Sequence, residues 1–168
     1  IGWWASFPAE SIRGTVITDY LAAAVTRSGP EAAVAIPGIA SPAGFLKDKT
    51  QLLVPAFAIQ REEVARIIPV TDAEYRAALA EIASTTSTED GQTARSNPVA
   101  FVMRVLSQAR TYQNIALAQV RTREPFVAVY FEAIDMMGHG FQHYLPPKMP
   151  FVEDEQYQRL RDAVPNFY

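Results

Sequence analysis

One short stretch of this sequence combines residue types that bind metal ions. Asp135 and His139 stand four residues apart, and glycines at 138 and 140 flank the histidine. Four residues is about one helical turn, so a turn or a helix brings a carboxylate oxygen and an imidazole nitrogen to one point. Oxygen and nitrogen ligands at about 2.0–2.2 Å suit a zinc ion. The stretch is therefore a candidate for part of a divalent metal site.

Two ligands do not complete such a site, because a catalytic zinc takes three protein ligands and a water molecule. His143, the other histidine of the chain, lies four residues beyond His139. It is either a third ligand on the same helix or, as we expect, a solvent-exposed residue beside Tyr144. In the competing interpretation, Asp135 caps a helix and His139 is a turn residue, so that neither binds a metal.

Other chemistries lack their signatures in the sequence. Ser6 and Thr18 are hydroxyl residues with no base or oxyanion signature nearby, and Asp19 is typical of a turn after a strand. There is no Gly-x-Ser-x-Gly elbow, no Walker loop and no Gly-x-Gly-x-x-Gly stretch. With 15 Lys and Arg against 18 Asp and Glu, the net charge is −3, which argues against a nucleic-acid surface. The lack of cysteine excludes a thiolate metal site.

The elements that position the Asp–His pair follow from the apolar pattern. The 168 residues are 49% hydrophobic, which predicts a single soluble domain over 1–168, and no apolar stretch reaches the length of a membrane span. Pro and Gly residues across 28–55 predict an irregular excursion, preceded by a short helical stretch near 20–26. Strands are predicted at about 1–5, 14–19 and 126–134, and helices at about 61–68, 72–84, 98–120 and 153–164.

Two local signals mark where helices begin. Thr71 and Glu74 fit a capping box, in which each side chain bonds the backbone of the other residue. Asn97-Pro98 places a capping residue before a proline at the first helical position, where a missing N–H costs nothing. The helix that starts there is predicted to be the longest element of the chain.

The apolar run 126–131 decides the predicted fold class. Its six residues, Phe-Val-Ala-Val-Tyr-Phe, favour a strand covered on both faces, as in a parallel sheet. A helix followed directly by such a strand indicates an α/β architecture with few, mostly parallel strands. Asp135 would then lie just past the carboxyl end of the strand, at the edge where open α/β sheets bind ligands.

Both ends of the sequence are apolar, with Trp3 and Trp4 near one end and Phe167 and Tyr168 at the other. Because natural termini are usually polar, this pattern predicts an internal segment of a larger protein, with a processed mature protein as the alternative. Such a segment would expose apolar strand edges. We therefore expect it to self-associate through Trp3, Trp4 and the run 126–131.

Several stretches resemble one enzyme family. Residues 2–10 (GWWASFPAE) and 14–19 (GTVITD) are similar to its G-W-W-x-[ST]-[WF]-P-A-E … G-x-x-[VI]-[ST]-D pattern. Residues 130–141 (YFEAIDMMGHGF) resemble its Y-F-x-x-x-D-x-x-x-H-x-F motif, and 61–66 (REEVAR) resembles its middle helix. The family is the type I phosphodiesterase/nucleotide pyrophosphatase branch of the alkaline phosphatase superfamily.

The resemblance implies a metal-dependent phosphohydrolase that acts on small phosphorylated substrates with two divalent metals, usually zinc, at the edge of a parallel sheet. It implies that Asp135 and His139 are ligands of one metal, with a histidine downstream as the third. The family's Thr or Ser nucleophile lies upstream, and the ligands of the second metal lie outside the 168 residues. The chain would therefore be the central segment of the enzyme, with weak or no metal binding and no turnover by itself.

Two alternatives stand beside this interpretation. Sulfatases, phosphonate hydrolases and phosphomutases of the same superfamily share similar metal ligands, and the missing nucleophile segment is what separates them. In the other, the chain is a non-catalytic α/β interaction or scaffold domain in which Asp135 and His139 are structural.

Overall fold

The computed structural model describes residues 7–84, 97–123 and 125–168, and helices dominate them. The helices are α1 (Tyr20–Val34), α2 (Arg61–Val64), α3 (Asp72–Ser84), α4 (Pro98–Arg121), α5 (Glu132–Phe141), α6 (Asp154–Leu160) and α7 (Ala163–Phe167). The strands β1 (Val16–Ile17) and β2 (Ala40–Ser41) pair antiparallel, with Val16 opposite Ser41 and Ile17 opposite Ala40. Short 3-10 helices lie at Thr50–Leu52, Ala56–Ala58 and Gln142–Tyr144.

The predicted α/β fold with mostly parallel strands is wrong, because the described residues are 58% helix and 3% strand and the two strands among them are antiparallel. The strand predicted at 14–19 shrinks to the two residues of β1. The strand predicted at 126–134 is absent: residues 126–130 have no regular structure, and α5 begins at Glu132. The strand predicted at 1–5 lies outside the described residues.

The error at 126–134 has a physical cause. β-Propensity mostly expresses packing against neighbouring strands, so an apolar β-branched run becomes a strand only where such neighbours exist. Phe126 is 82% exposed, and no strand pairs with 126–130 within the part of the chain that the structure describes. From Glu132 onward the apolar residues recur at helical spacing instead, and the chain forms α5.

The predicted helices agree with the structure more closely than the predicted strands do. The helix predicted at 72–84 is confirmed as α3, and the one predicted at 98–120 is confirmed as α4, one residue longer. The helix predicted at 61–68 ends at Val64 and continues as turns to Ile68. The helix predicted at 153–164 divides into α6 and α7. Pro165 lies in the first turn of α7, where an N–H group has no acceptor within the helix, so the N–H that proline lacks costs no hydrogen bond.

Both predicted helix starts are confirmed in atomic detail. The Thr71 N–H donates to Glu74 Oε2 at 2.8 Å, and the Glu74 N–H donates to Thr71 Oγ1 at 3.3 Å. At the start of α4 the Ala100 N–H donates to Asn97 Oδ1 at 3.1 Å. These signals succeed because donor and acceptor lie within three residues of each other.

Helix α1 extends into the stretch predicted to be irregular. It runs to Val34 with a kink at Gly29, whose φ of 79° lies in the left-handed region that glycine tolerates. Pro30 follows at once and restarts the helix with a φ that suits a first helical position. A Gly-Pro pair therefore kinks α1 here without ending it.

The chain divides into two compact units. One comprises residues 1–56 and 107–132, and the other comprises 57–106 and 133–168. Helix α4 contributes its first nine residues to the second unit and the rest to the first unit.

In the first unit the core is built around Tyr112. Its hydroxyl donates to the carbonyl oxygen of Asp19 at 2.6 Å and lies 3.0 Å from a second acceptor, the carbonyl oxygen of Thr18. The same hydroxyl accepts a hydrogen bond from the Ala22 N–H at 3.4 Å. Burial raises the pKa of Tyr112, which keeps the hydroxyl protonated as a donor. The residues of this core are Ile17, Leu21, Ala22, Ala24, Val25, Ala33, Ile39, Leu46, Leu53, Tyr112 and Ile115.

Polar side chains of α4 hold the irregular stretch before Pro55. Ser107 Oγ donates to the Val54 carbonyl oxygen at 2.6 Å, and the Val54 N–H donates to Thr111 Oγ1 at 3.0 Å. One turn further along, Asn114 Nδ2 donates to the Leu52 carbonyl oxygen at 3.1 Å. Backbone groups that no sheet or helix pairs therefore find partners on one face of α4.

The second unit combines aromatic packing with ion pairs between helices. The rings of Phe101 and Phe141 meet edge to face, with centroids 5.8 Å apart. Arg159 reaches Glu74 Oε1 at 2.6 Å and donates to the Pro69 carbonyl oxygen at 3.1 Å. Hydrogen bonds from Thr71, helped by the charge of Arg159, lower the pKa of Glu74.

Replacing Tyr112 with Phe tests its central role. The Tyr112→Phe variant removes one donor to the chain around Asp19 and leaves buried backbone groups without a partner. We expect a loss of about 1–3 kcal/mol in the free energy of unfolding, measured by urea denaturation. Tyr157→Phe is the matched control, because its hydroxyl bonds no described residue, and it should change little. Equal effects of the two variants would contradict the role given to Tyr112.

The lowered pKa of Glu74 predicts a pH-dependent contribution to stability. A carboxyl group whose pKa is lower in the folded protein stabilises it above the unfolded pKa, and this gain is lost as pH falls through the folded pKa. Glu74→Gln should therefore lower the free energy of unfolding by roughly 0.5 kcal/mol at pH 7, because the Glu74–Arg159 ion pair is partly exposed, and by less at pH 3. Urea denaturation at both pH values checks this, with the exposed Glu31→Gln as control. A Glu74→Gln cost that does not shrink at pH 3 would refute the prediction.

Candidate functional site

Helix α5 presents Asp135 and His139 to solvent. Its buried residues are Ala133, Met137, Gly140 and Phe141, which recur at helical spacing and define the face that packs on the core. Asp135 and His139 lie one turn apart away from that face, with side chains 59% and 74% exposed. The core-facing residues therefore hold the helix while the acid and the imidazole stay accessible.

The two side chains approach each other closely. Asp135 Oδ1 and His139 Nε2 are 3.4 Å apart. Two ligand atoms of a tetrahedral zinc, each at about 2.1 Å from the ion, are also separated by about 3.4 Å. The pair thus has the separation of two adjacent tetrahedral ligands. The same distance forms an i,i+4 ion pair when His139 is protonated.

The glycines that flank His139 have no special backbone conformation. Gly138 and Gly140 lie inside α5, and neither has a positive φ. A Cβ built on Gly138 would meet no heavy atom within 4 Å. The local backbone of the pair is therefore ordinary helix, and spacing alone brings the two side chains together.

His143 does not occupy either predicted place. Helix α5 ends at Phe141, and His143 lies in the following 3-10 helix, buried to 9% exposure with its ring centroid 3.9 Å from that of Tyr144. It is neither solvent-exposed nor on the helical face of His139. Within residues 7–84, 97–123 and 125–168, no three His, Cys, Asp or Glu side chains gather as a metal site.

The remaining polar candidates have structural roles where they are described. Thr18 is buried, and its hydroxyl donates to the Ile39 carbonyl oxygen at 3.1 Å. Asp19 precedes the first residue of α1, and burial raises the pKa of its carboxyl group. Glu132, which begins α5, accepts a hydrogen bond from Gln108 Nε2 at 2.8 Å. Ser6 lies outside the described residues.

Sequence patterns gave no sign of a depression in the first unit. It has a volume of about 300 Å³ and is lined by residues between Val34 and Lys47. The lining is aliphatic apart from the Lys47 side chain, and Gly38 and Gly44 turn the chain there with φ of 83° and 82°. Ion pairs and nucleophiles are missing from this described lining, so it offers no chemistry comparable to that of Asp135 and His139.

Comparison of the chain with protein-family models, with curated protein sequences and with solved structures finds no match. Across the described ranges, no helix has both the length and the apolar character needed to cross a bilayer.

The two histidines should respond differently to substitution. His143→Ala removes a buried ring that packs on Tyr144 and should lower the free energy of unfolding by about 1–3 kcal/mol. His139→Ala removes an exposed side chain from the solvent face of α5 and should leave the unfolding midpoint unchanged. Thermal and urea denaturation of both variants check the difference. A large loss of stability in His139→Ala would show that this residue is structural.

Proposed function

We propose that this chain is the central part of a metal-dependent phosphohydrolase, in which Asp135 and His139 are two ligands of one divalent cation, most suitably zinc. The observation that carries the proposal is the 3.4 Å separation of Asp135 Oδ1 and His139 Nε2 on the solvent face of α5. The support from sequence is the resemblance of residues 130–141 to the Y-F-x-x-x-D-x-x-x-H-x-F motif.

Each residue of the pair has a distinct task in this proposal. The Asp135 carboxylate supplies an anionic oxygen, and neutral His139 supplies a nitrogen through Nε2, the ring atom that already faces the carboxylate. Because α5 fixes both residues one turn apart, little conformational entropy is lost when they converge on an ion. When bound, the cation would stabilise negative charge on a phosphate ester of a small substrate.

The exposure of the pair leaves room for the rest of the centre. Both side chains are more than half exposed, so further ligands and a substrate can approach from the solvent side. The described residues bring no third ligand to the pair, and Thr18, a hydroxyl candidate, is buried and engaged with Ile39. We therefore expect weak metal binding and no turnover from these 168 residues by themselves.

A second function is favoured by a specific observation. An exposed carboxylate and imidazole at i and i+4 also form a simple helix-surface ion pair, and no third metal ligand joins them among the described residues. The second candidate function is therefore that of a non-catalytic interaction or scaffold domain. Binding of zinc at the pair separates the two functions.

Metal binding is tested on the chain as it stands. Zinc chloride is titrated while the ring resonances of the histidines are followed by NMR. We expect His139 to shift while buried His143 does not, and Asp135→Asn and His139→Ala to weaken binding at least about tenfold. Glu155→Gln, an exposed acidic residue on α6, is the matched control and should bind zinc like the parent chain. Zinc binding indifferent to both substitutions at the pair would refute the metal site.

Hydrolysis is tested on the product of the whole reading frame, because the resemblance places the nucleophile outside this stretch. The substrates are bis-p-nitrophenyl phosphate and p-nitrophenyl phosphate, each with zinc, with manganese and with chelator. We expect metal-dependent turnover that Asp135→Asn and His139→Ala reduce at least about 100-fold, while Glu155→Gln leaves it unchanged. No turnover on either ester, or turnover indifferent to the pair, would favour the scaffold function. Hydrolysis of p-nitrophenyl sulfate alone would favour a sulfatase.

A further inference from the structure

The run 126–131 contains exposed residues, although its apolar composition favours burial. Its six residues carry no charge, no proline and no glycine, and three are aromatic. Runs of this kind have high β-propensity and pair readily with like segments. Phe126 is 82% exposed, and Phe131 is also exposed.

The run lies along the first unit as an extended segment with two different faces. Phe126 and Ala128 are exposed, whereas Val127 and Val129 are partly buried, and Val129 packs against the core of that unit. Over residues 126–129 this alternation with a period of two is the pattern of an extended chain, whereas Tyr130 is partly buried and Phe131 is exposed. One face is therefore seated on the core and the other is open to solvent.

One edge of the segment has free hydrogen-bonding groups. In an extended chain the peptide groups of alternate residues point to the same edge, so those of 127 and 129 share one edge. In the part of the chain that the structure describes, no hydrogen bond involves the backbone of Val127 or Val129. Such an edge is a template for pairing with another strand.

We propose that a second copy of this chain pairs antiparallel with this edge, related by a two-fold axis midway between the two copies of Val129. In this register Val129 lies opposite its own copy and Val127 lies opposite Phe131. A register centred on Ala128 would instead place Pro125 opposite Phe131, and the proline has no N–H to donate. A two-fold contact closes on itself, so the product is a dimer.

Charge complementarity favours a second copy in the antiparallel direction. Residues 121–124 before the run carry two arginines and one glutamate, whereas Glu132 and Asp135 follow it. Antiparallel pairing brings the cationic flank of one copy towards the acidic flank of the other, and parallel pairing would bring like charges together.

The register is tested by cross-linking, which is clean because the chain has no cysteine. In the proposed pair the two copies of residue 129 lie about 5.5 Å apart at Cα, within the range of a disulfide. The two copies of residue 126 are offset by six residues, or about 20 Å. Under mild oxidation we expect Val129→Cys to form a covalent dimer at least about tenfold faster than the more exposed Phe126→Cys, with circular dichroism confirming that both fold.

Sedimentation equilibrium of the unmodified chain supplies a second, independent measurement. We expect a monomer–dimer equilibrium that Phe126→Lys weakens at least about tenfold, while Phe57→Lys, a matched exposed phenylalanine outside the run, does not. A strictly monomeric chain at millimolar concentration would overturn the proposal. So would cross-linking of Phe126→Cys as fast as Val129→Cys, or equal effects of the two lysine substitutions.

Discussion

Buried backbone groups must find hydrogen-bond partners, and in the first unit the side chains of α4 meet this requirement. The Tyr112 hydroxyl engages the chain at Asp19 and Ala22, where β1 ends and α1 begins. Ser107 and Thr111 satisfy both backbone groups of Val54, which a long irregular stretch would otherwise leave unpaired. One face of one helix thus fixes segments that have too little regular structure to fix themselves.

Local signals in the sequence predict the parts of this fold that local interactions decide. The starts of α3 and α4 are confirmed because Thr71 bonds Glu74 and Asn97 bonds Ala100, each pair within three residues. The bond between Tyr112 and Asp19 spans 93 residues and has no local signature. The strand predicted at 126–134, and the fold class that depended on it, are wrong for a related reason. A strand needs neighbouring strands, and the periodicity of its own sequence does not show whether they exist.

The candidate site was predictable to the same degree. A spacing of four residues brings Asp135 and His139 together on any helix, so their proximity holds although the expected strand is absent. His143 has the same spacing from His139, but α5 ends at Phe141 and the chain tightens into a 3-10 helix. Because of this change of helical pitch, the His143 side chain is buried. Residue spacing predicts which side chains share a helix face, but it does not show where the helix ends.

On α5 the residues that pack on the core differ from the residues that could bind a metal. Ala133, Met137 and Phe141 are buried and supply the packing energy of the helix, whereas the exposed pair contributes little to it. Because changing either residue leaves the core untouched, loss of zinc binding in those variants would report on ligation and not on unfolding.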